Sequence, residues 1–125
     1  MYSEITEENI PLLVDGFYDK VRAEPHLGKV FTEAIGDTDE EWAPHLQQMY
    51  RFWSSMMLRT GTFDGSPMKK HKELPTFPQN LFQDWLRLFE ERARELYISD
   101  IAEQFIQRSH MIAFSLQSVL YKKAV

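Results

Sequence analysis

Residues 40–57 read EEWAPHLQQMYRFWSSMM. Trp42, His45, Leu46, Met49, Phe52, Trp53 and Met56 recur at three- and four-residue steps. That spacing places them on one stripe of a helix and fits no alternating strand. The spacing predicts a long helix from Asp37 to Thr60, opened by the acidic run Asp39, Glu40 and Glu41, where carboxylates meet the positive end of the helix dipole. Pro44 falls within its first turns, where a proline is tolerated.

The same period runs outward in both directions. Upstream, Ile10, Leu13, Val14, Phe17, Tyr18 and Val21 form one apolar stripe, with Thr6 as the expected N-cap and Pro25 as the expected stop. Pro11 fits the first turn of a helix or bends the one already begun. A short apolar stretch from Leu27 to Ile35 ends at Gly36. Downstream, GTFDGSP breaks the pattern, and Ser66 before Pro67 is a cap and first-position pair for a short helix, PMKKHKEL, closed by Pro75. Pro78 opens a helix through Leu81, Phe82, Trp85, Leu86, Phe89, Ala93 and Leu96. A last helix runs from about Asp100 to Tyr121. No window alternates with period two, so the expected fold class is all-α, in one domain spanning residues 1–125.

Composition narrows the chemistry. Nine Phe, five Tyr and three Trp in 125 residues supply a core with apolar surface to spare for a flat ligand. The absence of cysteine excludes disulfides and thiolate metal sites. A net charge of −5 with scattered cations argues against a nucleic-acid partner. No apolar run approaches a membrane span, and the acidic start MYSEITEEN does not read as a signal peptide, so the expected compartment is the cytoplasm. Phosphate loops, GxSxG, HExxH and EF-hand spacings are missing. Glu41 precedes His45 by four residues, so the Glu-x-x-His pairs of di-iron bundles are missing too.

Four histidines remain: His26, His45, His71 and His110. His26, after Pro25, reads as surface, and His110 as structural. His45 lies on an apolar stripe, where an ionisable ring is costly without a partner or ligand. Tyr18 and Trp85 lie on the apolar stripes of two other helices. The three polar tips form either a satisfied core network or the lining of a ligand pocket, and residue pattern alone leaves both open. His71, between Lys70 and Lys72, has no companion ligands for zinc. A single imidazole suffices as an axial ligand of haem, because the porphyrin supplies the other four donors. The cluster Lys69, Lys70 and Lys72 then reads either as a solvated face or as a partner for the propionates.

The segments FYDKVR, EEWAPH, FWSSMM, PMKKHKELPTFP and WLRLFEE, with IQRSHMIA near the end, resemble the bacterial group III truncated haemoglobins in order and spacing across nearly the whole chain. The resemblance implies a globin-like two-over-two helical sandwich around haem b. It makes His71 the proximal iron ligand, and Tyr18, His45 and Trp85 the distal polar residues. Phe31 is implied to pack on the haem, Met49 and Phe52 to line the distal side, and Lys70 to meet a propionate. Met49 stands where an aliphatic residue is common in the family, which alters pocket shape. The implied ligand is oxygen, with nitric oxide, cyanide or peroxide as further candidates. An electron donor or reductase is implied as partner, and a monomer or weak dimer as the assembly. Three functions stay in play: reversible oxygen binding and transport, a peroxidase or nitric oxide-detoxifying enzyme in the same pocket, and a haem-free helical interaction module. The rate of oxygen release separates the first two.

Overall fold

The computed structural model describes residues 1–121. It contains six helices: α1 (Ile10–Ala23), α2 (Pro25–Ile35), α3 (Asp39–Leu58), α4 (Pro67–Lys72), α5 (Leu81–Leu96) and α6 (Ser99–Leu120). Among the described residues the only β-type pairing is an isolated bridge between Tyr2 and Tyr97. The all-α expectation holds.

Local chemistry explains the helix ends. The turn before α1 is closed reciprocally: the Asn9 N–H donates to the Thr6 hydroxyl and the Thr6 N–H donates to Asn9 Oδ1, each at 3.0 Å. The N-cap of α1 is Asn9 rather than the expected Thr6, which instead closes the preceding turn, and Pro11 sits in the first turn of the helix. Pro25 does more than end α1. It is the first residue of α2, and Glu24 alone separates the two helices, its carboxylate accepting from the Leu27 N–H at 2.6 Å. A proline at the first helical position loses no hydrogen bond, so one residue both stops a helix and starts another. His26 is accordingly an exposed residue of α2 and not of a polar turn.

α3 begins two residues later than the stripe suggests, because Thr38 and Glu41 form a capping box there. It ends at Leu58, with Arg59 in the left-handed conformation that halts helical propagation. Pro44 lies inside α3 near its start. Ser66 caps α4 through the Lys69 N–H, as its sequence position implied.

α5 packs along α6, and α1 packs on both α3 and α5, so two helix pairs stack into the two-over-two sandwich. The core that α1, α3, α5 and α6 share holds Leu13, Val14, Phe17, Trp53, Phe89 and Phe105. At Gly16 of α1 a Cβ would lie 2.0 Å from Arg92 Nε, so the missing side chain admits the guanidinium of α5 onto α1. There Arg92 donates to the Leu12 carbonyl at 2.8 and 3.2 Å, locking the helix that carries Tyr18 to the helix that carries Trp85.

Candidate functional site

α1, α2 and α3 bring Tyr18, Phe31, Trp42 and His45 into one aromatic cluster. The Tyr18 and His45 rings meet edge-to-face at 4.9 Å, and Trp42 meets His45 at 5.4 Å. Phe31 stacks on Trp42 at 6.0 Å and lies 5.8 Å from Tyr18. Such contacts favour apolar neighbours and provide no hydrogen bond to an imidazole. His45 Nε2 is buried without any hydrogen-bond partner, the one such side-chain atom among the described residues. Burial, and then the charge of His71, lower the His45 pKa from its ordinary 6.5 to about 4. The ring is neutral across the physiological range, with one ring nitrogen unsatisfied.

Tyr18 shows the same lack of partners. Tyr50, Tyr97 and Tyr121 donate their hydroxyls to Asp15, Asn9 and the Phe77 carbonyl. Tyr18 is only 6% exposed, and no described residue accepts its hydroxyl proton. Burial pushes the phenol pKa upward, so it stays a protonated donor.

Trp85, on α5, is half-buried and meets Phe17 edge-to-face at 5.6 Å; Phe17 in turn meets Tyr18 at 4.8 Å. Phe17 thus touches both the Trp85 and Tyr18 rings, and no hydrogen bond joins Tyr18, His45 and Trp85, so the polar trio is not a hydrogen-bonded core network. Met49 and Phe52 are half-buried on α3 against the main core, Phe52 packing on Phe63 at 5.2 Å.

His71 is half-buried on α4, as are Pro67 and Met68. Its Nδ1 lies 2.6 Å from the Pro67 carbonyl one turn earlier. A carbonyl only accepts, so Nδ1 carries the proton and Nε2 keeps its lone pair free to bind a metal. Among the described residues no group of three or more His, Cys, Asp or Glu is placed to hold a metal ion. A single free imidazole nitrogen fits a metal whose remaining donors come from a macrocycle. The half-buried Phe31, Met49 and Phe52, with an unsatisfied His45 nearby, fit the apolar body of such a group. Lys70 is exposed and forms no ion pair among the described residues.

Sequence reasoning placed Trp42 on the buried face without assigning it to the site. The structure makes it a wall of the cluster, held by its indole N–H to the Gly36 carbonyl at 2.9 Å and by the Arg22 guanidinium 4.9 Å above its ring. Its place three residues before His45 was the available signal. The Asp15–Tyr50 hydrogen bond, on the same α1–α3 seam, carried no such signal.

No family model matches the chain. It is 43% identical over 121 residues to the group 3 truncated hemoglobin ctb of Campylobacter jejuni, covering 97% of this chain and 95% of that protein. The crystal structure of group III truncated hemoglobin from Campylobacter jejuni matches it with a TM-score of 0.95 at 42% identity, covering 99% of this chain and 98% of that one.

Proposed function

The chain belongs to the group III truncated haemoglobins, and we propose that it reversibly binds oxygen and related diatomic ligands at haem b held by His71. The observation that carries this reading is the buried His45 Nε2 without a hydrogen-bond partner, in ring contact with Tyr18, whose hydroxyl bonds to no described residue. Haem supplies, when bound, the ferrous iron at which a diatomic ligand is taken up. The hydrogen bond from His71 Nδ1 to Pro67 orients the imidazole and raises its basicity toward a metal. Tyr18, kept protonated by burial, and Trp85 would offer hydrogen-bond donors to a ligand held there. In a dry pocket each such bond is stronger than in water and slows ligand escape. Phe31, Met49 and Phe52 exclude water, and Lys70 pairs with a propionate.

Peroxidase or nitric oxide-consuming chemistry is the second reading, and one observation favours it. His45 is neutral and its buried Nε2 has no hydrogen-bond partner, so it can pair with a peroxide in the pocket. The haem-free interaction module loses ground, since membership of a haemoglobin family implies the cofactor. We further assign a single domain, a cytoplasmic location, nitric oxide, cyanide or peroxide as further ligands, a reductase as partner, and a monomer or weak dimer. No described helix is long and apolar enough to cross a membrane.

The visible absorption spectrum tests the proposal. Wild-type protein loaded with haem gives an intense Soret band and a five-coordinate ferrous spectrum; His71→Ala loses the latter and is restored by free imidazole. A His71→Ala protein with an unchanged ferrous spectrum overturns the assignment of the iron ligand.

A further inference from the structure

α4 and the packed half of α6 form a face unlike the rest of the surface. From Gly65 to Gln83 the chain carries three lysines and one carboxylate, a net charge of +2, whereas the remainder carries −7. From Gln104 to Tyr121, α6 and its last turn contain no carboxylate, and their charged residue is Arg108. α4 packs on α6, and the Gln79 side chain donates to Gln117 at 3.0 Å, so the two segments are continuous.

The cations of this face are also uncommitted. Elsewhere Lys20, Arg22, Arg87, Arg92 and Arg94 pair with carboxylates, while Lys29, Arg51 and Arg59 stand singly among the described residues. Lys69, Lys72 and Arg108 are exposed and form no ion pair among the described residues. Apolar groups stand out beside them: Phe114 is 73% exposed and Met111 60%. Two open hollows run along α6. One of 230 Å³ is lined by His71, Lys72, Leu74, Phe77 and Tyr121, and one of 540 Å³ by Leu86, His110, Met111 and Phe114. An apolar centre with a charged rim is the anatomy of a protein interface, and aromatic residues and Met are over-represented in such centres.

We propose that this carboxylate-poor face of α4 and α6 is the docking surface for an acidic one-electron donor protein. The proposal rests on the reading of His71, which lines one of these hollows, as the residue that would hold the iron. A ligand-binding haem protein that has lost an electron from its iron must regain it. One electron passes from the donor's reduced centre to ferric iron, leaving ferrous iron and an oxidised donor; no bond or proton is exchanged. Charge complementarity selects the donor's sign. A positive patch on a protein that is otherwise negative orients an acidic partner and repels it from every other approach. Electron-transfer encounters use small, short-lived interfaces steered in this way, which suits a face that carries Lys69, Lys72 and Arg108 with two open hollows.

The test uses the ferric holoprotein and a reduced acidic [2Fe–2S] ferredoxin as probe. Wild-type reduction is expected to slow steeply with added salt. Lys69→Glu/Lys72→Glu should lower the second-order rate about tenfold at low salt, and Phe114→Ser should lower it severalfold. Both variants should keep the wild-type Soret band and be reduced by dithionite within about twofold of wild type. In NMR titrations of the ferrous carbon monoxide form, ferredoxin should shift amide signals of α4 and α6. Salt-independent reduction, a charge-reversed variant as fast as wild type, or shifts confined to other helices overturns the proposal. Dimerisation through Phe114, seen by sedimentation without ferredoxin binding, overturns it in favour of a second copy. Loss of haem from Lys69→Glu/Lys72→Glu overturns it in favour of propionate anchoring. Failure of wild-type protein to give a Soret band would instead strike the haem reading itself.

Discussion

Two buried polar clusters in this molecule are built on opposite rules. At the start of α1, Asn9 is 2% exposed, and its side-chain polar atoms are all engaged. Its amide donates to the Glu4 carbonyl at 3.0 Å, and Oδ1 accepts from the Thr6 N–H at 3.0 Å and the Tyr97 hydroxyl at 2.6 Å. At the other end of the same helix, Tyr18 and His45 are in ring contact at 4.9 Å without bonding each other, and His45 Nε2 bonds to nothing among the described residues. Polar groups that are buried and satisfied hold a fold together; polar groups buried and left unsatisfied weaken it, and persist where a ligand completes them. The first cluster is therefore structural and the second is where a ligand belongs.

The contrast breaks first at Asn9. Asn9→Ala removes three side-chain bonds and leaves the Tyr97 hydroxyl stranded, so urea unfolding should show a loss of about 4 kcal/mol with ligand kinetics unchanged. A loss below about 1 kcal/mol would erase the distinction between the clusters.

His45 should produce the next largest effect, through pH. Its pKa in the folded chain is about 4 against an ordinary 6.5, so between these values the unfolded chain holds more protons. Haem-free protein should lose stability as pH falls from 6.5 to 4, by up to about 3 kcal/mol, with no further contribution from this group below 4. His45→Leu should flatten that part of the pH–stability curve and unfold no more easily than wild type at neutral pH, since it replaces an orphaned nitrogen with an apolar group. An unchanged pH dependence in His45→Leu would show that other groups govern it.

Tyr97→Phe should cost about 1.5 kcal/mol, because Asn9 Oδ1 retains a second donor. Tyr18→Phe sharpens the comparison most, since the same change of residue should move stability by less than about 0.5 kcal/mol. The oxygen dissociation rate of haem-loaded Tyr18→Phe should rise about tenfold instead, measured by stopped-flow displacement with carbon monoxide. A Tyr18→Phe protein that is destabilised like Tyr97→Phe, with unchanged dissociation, would return Tyr18 to the core.

Much of this was readable in the residues. The three-and-four spacing of Trp42, His45, Met49, Phe52 and Met56 marked α3, and Ser66–Pro67 before KKHK marked α4, because helix period and capping are local properties. Pro25 was misread as a stop alone, since the chemistry that ends one helix at a proline also begins another there. The Asn9–Tyr97 bond spans 88 residues, and no local pattern announces it.

The sequence by itself determined the all-helical class, the start of α4 set by Ser66 and Pro67, and the isolation of His71 from any other ligand-spaced residue. Each of these depends on neighbours within a few residues. Only the tertiary structure decided which polar groups would be satisfied. Whether Asn9 finds Tyr97, and whether Tyr18 and His45 find nothing, depends on how α1 lies against α3 and α5, and that follows from the packing of rings such as Phe17, Trp42 and Trp85. Hydrogen bonding needs partners within about 3 Å, and only the packed chain brings distant residues that close.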